Sequence, residues 1–404
     1  MTKIIIKTKI IFIFLALITS CEKKKEVEPI TIDDKEFKFI TLMVSDEKTK
    51  QISIISPKDG KIQTFDAKYA KSAVYATESG RFGSIIHRDF NFVENFDTGY
   101  ESHGDHVDIK GTPKWAALIG EGNKPTHFGS YGGEIVTFND GDGTLSIAQE
   151  TDMHQAGFKM KDIPTKNIAH HGAMARFQNG NYAITEKDGS IAGTLPERVK
   201  IINKSGDVIA TSSIQTKGIH GNKSDGKIAL FGSASGVLAV DESGSQRLIK
   251  YPESFETAWL GTIFYGKSAG KFLGYSGSLG VYEIDLKADK YIPIFESKDI
   301  LQCKLDKSGS KVIVLLLNGD LKVFDLKTLN LVKNGNIGLI TTKEEAQKPT
   351  LEATDRFAYI VLPKTGEVQQ FDLKTMSTIQ KIKVSDTPYR IAILGSELNK
   401  KGDE

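Results

Sequence analysis

Cysteine is nearly absent from this chain of 404 residues: there are two, Cys21 and Cys303. That excludes a fold stapled by disulfides and a zinc site built from cysteines alone. Proline is scarce at 11 residues, whereas glycine reaches 38, which suits many tight turns better than a proline-rich disordered chain. No charge of one sign dominates, since 53 Lys and Arg face 51 Asp and Glu. A protein built mainly to grip a nucleic acid backbone needs a basic excess, so that class is set aside. The sequence also lacks an HExxH and a GxGxxG after a strand, and no nucleophile–base–acid set can be assembled.

Long hydrophobic runs are missing too. The run IIFIFLAL at 10–17 follows Lys3, Lys7 and Lys9 and precedes Ile18-Thr19-Ser20-Cys21. It is too short for a membrane span. A basic start, a short apolar run and small residues before a cleavage point describe a secretory signal over 1–20. Small residues directly ahead of a cysteine resemble the bacterial lipoprotein box, which makes Cys21 the lipidated first residue of the mature chain. Residues 21–36, rich in Lys and Glu, read as a flexible tether. The expected location is therefore the cell envelope, lipid-anchored and facing the periplasm or the cell surface.

What remains is repetitive. KVIVLLLNGDLKVFDLKTLNLV at 311–332 and RFAYIVLPKTGEVQQFDLKTMSTI at 356–379 share a plan: apolar strand, glycine turn, second strand, then Phe-Asp-Leu-Lys-Thr. Similar units recur upstream. Marking each second strand at Ile54, Phe96, Ile147, Ile202, Val240, Ile284, Phe324 and Phe371 gives spacings of 38 to 55 residues. Strands without helical periodicity at such a period predict an all-β chain forming a single β-propeller over 37–396, of eight blades with seven the alternative. The segment 387–394 is expected to close the ring by joining a blade begun at the N-terminal end. Residues 397–404 read as a disordered tail.

All eight histidines lie between residues 87 and 220, although a proportional share of about three or four would fall after His220. His127, His171 and His220 each precede the first hairpin strand of a repeat by a similar distance, which puts them on the innermost strands of three consecutive blades. Three inward imidazoles can converge on one ion, and imidazole suits zinc, copper or nickel. Three protein ligands with an open position fit an exchangeable zinc better than a closed structural one. His170 is the alternative to His171. His103 and His106 lie on a long segment between two blades, where a loop could swing over the channel mouth. His87 reads as locally packed, His154 as a loop residue, and Cys303 as a possible occupant of a related inner position. Asn139-Asp140-Gly141-Asp142-Gly143-Thr144 lacks the ligand spacing of a calcium loop and reads as a hairpin turn.

The ordered set His103-Gly104-Asp105-His106-Val107, Lys124-Pro125-Thr126-His127-Phe128, Phe138-Asn139-Asp140-Gly141-Asp142-Gly143-Thr144, His170-His171-Gly172 and Ile219-His220-Gly221 resembles the Azt-type periplasmic zinc metallochaperones, over roughly residues 80–240. The resemblance implies a monomeric β-propeller that binds zinc and delivers it to the solute-binding protein of a zinc ABC importer, with no catalysis. It places His103 and His106 on a mobile loop, and His127, His170 or His171, and His220 at the channel mouth. A lipid anchor and the lack of a His-rich run near the start depart from that family. Two other readings stand beside it: a non-metal propeller serving as a protein-binding platform, and a propeller hydrolase.

Overall fold

The computed structural model describes residues 35–402. The signal, Cys21 and all of the tether except its last two residues lie outside them.

Eight four-stranded antiparallel sheets succeed one another around a ring. Blade 2 comprises Ala73–Ala76, Phe82–His87, Phe92–Asp97 and Lys114–Gly120; blade 3, Pro125–Tyr131, Glu134–Asn139, Thr144–Gln149 and Lys161–Ile163. Blade 4 comprises Met174–Arg176, Tyr182–Glu186, Arg198–Ile202 and Val208–Ala210; blade 5, Ile219–Ser224, Ile228–Ser233, Gly236–Asp241 and Gln246–Ile249. Blade 6 begins with Thr262–Gly266, blade 7 with Ile300–Leu305 and blade 8 with Thr350–Ala353. Blade 1 takes three strands from the start of the ring and its innermost, Pro388–Ser396, from the end. The eight marks read from the sequence all fall on the third strand from the axis. The wide spacings arise where blade 2 carries an extra hairpin, Tyr100–Ser102 with Val107–Ile109, and where long loops precede and interrupt blade 4.

The burial of each strand follows its radial position. Second strands such as Phe82–His87 and Glu134–Asn139 are buried throughout, because both faces pack on neighbouring blades. That is why they read as apolar runs rather than alternating ones. Outer strands such as Lys61–Asp66 and Leu331–Asn336 are largely exposed. Among the described residues there is no central core. Eight apolar clusters instead fill the eight wedges between adjacent blades. Leu42 and Val44 of blade 1, for example, pack on Tyr359 and Val361 of blade 8.

The closure runs as the sequence predicts. Phe39–Asp46 pairs with Pro388–Ser396, placing Leu42 opposite Ile393. At one end of this seam Asp46 accepts hydrogen bonds from Ser385 Oγ at 2.6 Å and Thr387 Oγ1 at 3.0 Å. Two boundaries move. Glu36, read as the end of a tether, is buried and accepts bonds from Thr354 Oγ1 at 2.6 Å and Tyr359 OH at 2.5 Å. The supposed tail is paired through 402: Val107 N–H donates to Lys400 O at 3.0 Å, and Gly402 N–H donates to Val107 O at 3.1 Å. The blade 2 hairpin leaves main-chain groups at its edge, and the C-terminal segment satisfies them.

The innermost strands run in one direction, so the ring has two distinct faces. We call the face where they begin the entry face and the one where they end the exit face.

Candidate metal centre

The innermost strands of blades 3, 4 and 5 bring three histidines together at the entry face. His127 lies near the start of Pro125–Tyr131, His171 just ahead of Met174–Arg176, and His220 near the start of Ile219–Ser224. The pairing register slips between Pro125 and His127 and again between Ile219 and Asn222. Such bulges re-aim a side chain that would otherwise stay within the pleat. At the second slip Gly221 has φ +71°, and a Cβ there would sit 2.3 Å from Gly261 O, so only glycine fits beside His220.

Ring centres are 4.9 Å apart for His127 and His171, 5.4 Å for His171 and His220, and 6.2 Å for His127 and His220. Imidazoles bound at zinc–nitrogen distances of about 2 Å around a tetrahedral ion have centres about 5 Å apart, so the spacing fits one shared cation.

Two of the rings are oriented from behind. His171 Nδ1 is 2.8 Å from Asp140 Oδ2, and His220 Nδ1 is 2.8 Å from Gly261 O. Carboxylate and carbonyl oxygens accept, so both Nδ1 atoms carry the proton and both Nε2 atoms keep a lone pair. Metal-binding imidazoles are held in this way. His127 has no hydrogen-bond partner among the described residues, so neither of its ring nitrogens is committed to a protein acceptor. Burial, reinforced by charge on His171, pushes its pKa down to about 4, which keeps it neutral and able to bind metal near neutral pH. Burial pushes the Asp140 carboxyl up, but hydrogen bonds from His171 and Thr126 and the nearby Arg88 guanidinium hold it below the usual range. It therefore stays charged behind His171.

Asp140 was missed in the sequence. It lies on the turn between the second and third strands of blade 3, read correctly as a hairpin turn, and it reaches across to His171 while also meeting Arg88 at 3.3 Å.

The remaining histidines separate from the trio. His170 is not directed to the site: Nδ1 is 2.8 Å from Ile168 O, Nε2 is 3.1 Å from Thr185 Oγ1, and the ring packs edge-on against Phe138. With both nitrogens engaged it serves the wall, which decides between the two neighbours in favour of His171. His87 is buried between Ser72 and Glu94, as expected, and His154 meets Asp97. Cys303 does lie on an innermost strand, but it is buried in the wedge between blades 6 and 7, where burial pushes its thiol well up.

His103 and His106 correct a second expectation. Their hairpin follows the third strand of blade 2, which ends at the exit face, and Arg81 of the adjoining turn binds Glu101 at 3.1 Å. The opposite end of that strand carries the turn whose Arg88 reaches Asp140 and Thr126 beside the trio. The two histidine groups are therefore a strand's length apart, about 17–20 Å, on opposite faces. A loop at the exit face cannot cover the channel mouth at the entry face. The hairpin has donors of its own. Ligand atoms of Glu101, His103 and Asp108 all lie within 4.8 Å of one another, the group so gathered among the described residues. The His106 ring stacks on His103 at 5.3 Å. The trio matches a metal in ring spacing, but its donor atoms do not all lie within 4.8 Å of one another as those of the hairpin do.

No family model matches the chain, and no curated protein matches it. Solved structures do. A structure of AztD from Citrobacter koseri in its apo form superposes with a TM-score of 0.78 at 18% identity, covering 89% of this chain and 99% of that one. A second structure of the same protein gives 0.79 at 19% identity, covering 90% and 100%. The dihydro-heme d1 dehydrogenase NirN, in complex with DHE, is more distant, at 0.56 and 12% identity over 87% and 74%. These likenesses are of fold: about nine-tenths of this chain superposes on AztD.

Proposed function

We propose that this protein is a zinc carrier of the cell envelope, a metallochaperone that holds Zn(II) on His127, His171 and His220 and passes it to the solute-binding protein of a zinc ABC importer. The observation that carries the reading is the trio itself: three imidazoles from successive blades at metal-centre spacing, two of them with Nδ1 fixed by Asp140 and Gly261. The fold shared with AztD and the motif resemblance support zinc as the cargo.

Three protein ligands leave a coordination position open. A donor from the acceptor protein enters there before the histidines let go, so the ion is exchanged without being set free. The site offers donors and no nucleophile paired with a base, which favours a carrier over an enzyme. The protein works as a monomer, anchored through lipidated Cys21, with Glu101, His103, Asp108 and neighbouring His106 as a second, exposed zinc site on the exit face.

The test is the kinetics of transfer. Zinc-loaded protein mixed with a metal-free zinc-binding solute-binding protein should hand over its metal at a rate that rises with acceptor concentration. A rate set only by spontaneous release, equal for the protein acceptor and for a small chelator, refutes directed transfer.

A further inference from the structure

Below the histidines, the channel wall has a charge pattern that zinc carriage does not explain. The eight innermost strands contain four cationic side chains, Arg176, Lys223, Lys304 and Arg390, and one acidic one, Glu352. Three of the four cations are engaged. Arg176 meets Glu134 at 2.6 Å, Lys304 meets Glu352 at 2.5 Å, and Arg390 lies against Tyr389 with its guanidinium carbon 4.1 Å from the ring centre. Lys223 has neither an ion-pair partner nor a hydrogen-bond acceptor for its ammonium among the described residues. Its side chain is exposed, and the space it faces is a cavity of about 290 Å³ inside the ring. His127 and His220 line that same cavity, together with the polar side chains of Ser130, Asn222 and Ser224.

The cavity therefore joins a place for a cation to an unpaired ammonium. Three neutral imidazoles do nothing to offset the charge of a divalent ion, and Asp140, the nearest acid, is already shared by His171 and Arg88. A divalent ion above Lys223 in this cavity repels its ammonium, and that repulsion is stronger inside the ring than in bulk water. An anion between the two removes it. Enclosure by the ring pushes the Lys223 ammonium pKa down, while Glu78 pulls it back up. Volume is not limiting, because a single water needs only about 10–15 Å³ by this kind of measure.

We propose that the channel is an anion site: a small oxyanion, carboxylate or phosphate, binds the Lys223 ammonium in this cavity and offers its other oxygen to the metal held by His127, His171 and His220. The metal half of this rests on the zinc reading above; the Lys223 half does not.

Equilibrium dialysis of radiolabelled acetate and phosphate against the full chain, with and without zinc, tests this. One anion per chain is expected, held more tightly when zinc is present, and the two labels tell carboxylate from phosphate. Lys223→Met should weaken it by at least about tenfold, one charge-assisted contact being worth that much. Lys223→Arg should restore most of it, and circular dichroism confirms that both variants fold. Equal binding by wild type and Lys223→Met, or no retention by wild type, overturns the proposal. If zinc fails to bind while the label is still held through Lys223, the anion site stands and the zinc reading falls. If zinc binds and the label does not, the reverse holds.

Discussion

Asp140 Oδ2 lies 2.8 Å from Nδ1 of His171, joining a turn of blade 3 to the inner edge of blade 4. The contact fixes the tautomer of His171 and leaves Nε2 free, in a ring that lies beside those of His127 and His220. An aspartate that binds no metal in this account is thus part of the metal centre. Replacing it with Asn removes the charge that orients and polarises the imidazole. Asp140→Asn should lower zinc affinity by about 10–100-fold, the usual cost of losing such a partner, while leaving a folded propeller. Competition against a zinc-sensitive dye reads the change. An affinity within twofold of wild type contradicts this role for Asp140.

The adjacent pair gives a sharper contrast. His171→Ala should abolish tight zinc binding with little effect on folding, since that ring faces the channel. His170→Ala should do the opposite. It removes a buried ring hydrogen-bonded to Ile168 O and Thr185 Oγ1, so a loss of about 1–3 kcal/mol in stability is expected with zinc affinity nearly unchanged. Chemical denaturation and dye competition on the same two variants separate the roles.

Much of this was legible in the sequence. The wedges between blades demand apolar second and third strands, so the strand repeat stands out and the ring could be counted. The matched offsets of His127 and His220 from their hairpins survive because both sit at the same point of the same strand. The choice between His170 and His171 was not legible: neighbours point opposite ways, and which faces inward depends on the loop leading into blade 4. Asp140 was hidden in an Asp-Gly-Asp-Gly turn whose composition explains itself without a site. The face occupied by His103 and His106 could have been read by parity. Strands alternate direction, so an insertion after a third strand emerges opposite the start of the first.

That separation of faces predicts two independent classes of zinc. His103→Ala with His106→Ala should remove a weak, exposed site and leave the tight one intact. Isothermal titration with zinc should go from two phases to one. Loss of the tight phase in this variant would mean that the hairpin reaches the trio after all.

The ring's seam carries a pH dependence. Burial pushes the Asp46 carboxyl up, but hydrogen bonds from Ser385, Thr49, Lys48 and Thr387 outweigh it and hold the pKa below its usual value of 3.8. A carboxyl with a lowered pKa in the folded chain stabilises the fold above its unfolded pKa, and that contribution is lost as pH falls through the folded one. The wild-type melting temperature should therefore drop below about pH 4. Asp46→Asn, less stable at pH 7, should show a shallower drop. Parallel melting curves for the two proteins would show that Asp46 does not hold the seam.

The central claim, that imidazoles from three successive blades share one ion, meets its most direct test in metal content. Wild-type protein and the double variant His127→Ala with His220→Ala, both made without a histidine tag and both shown folded by circular dichroism, are dialysed against limiting zinc and analysed for bound metal. One tightly held zinc per wild-type chain and none per variant chain is the predicted result. Equal zinc in the two, or none in either, contradicts the account.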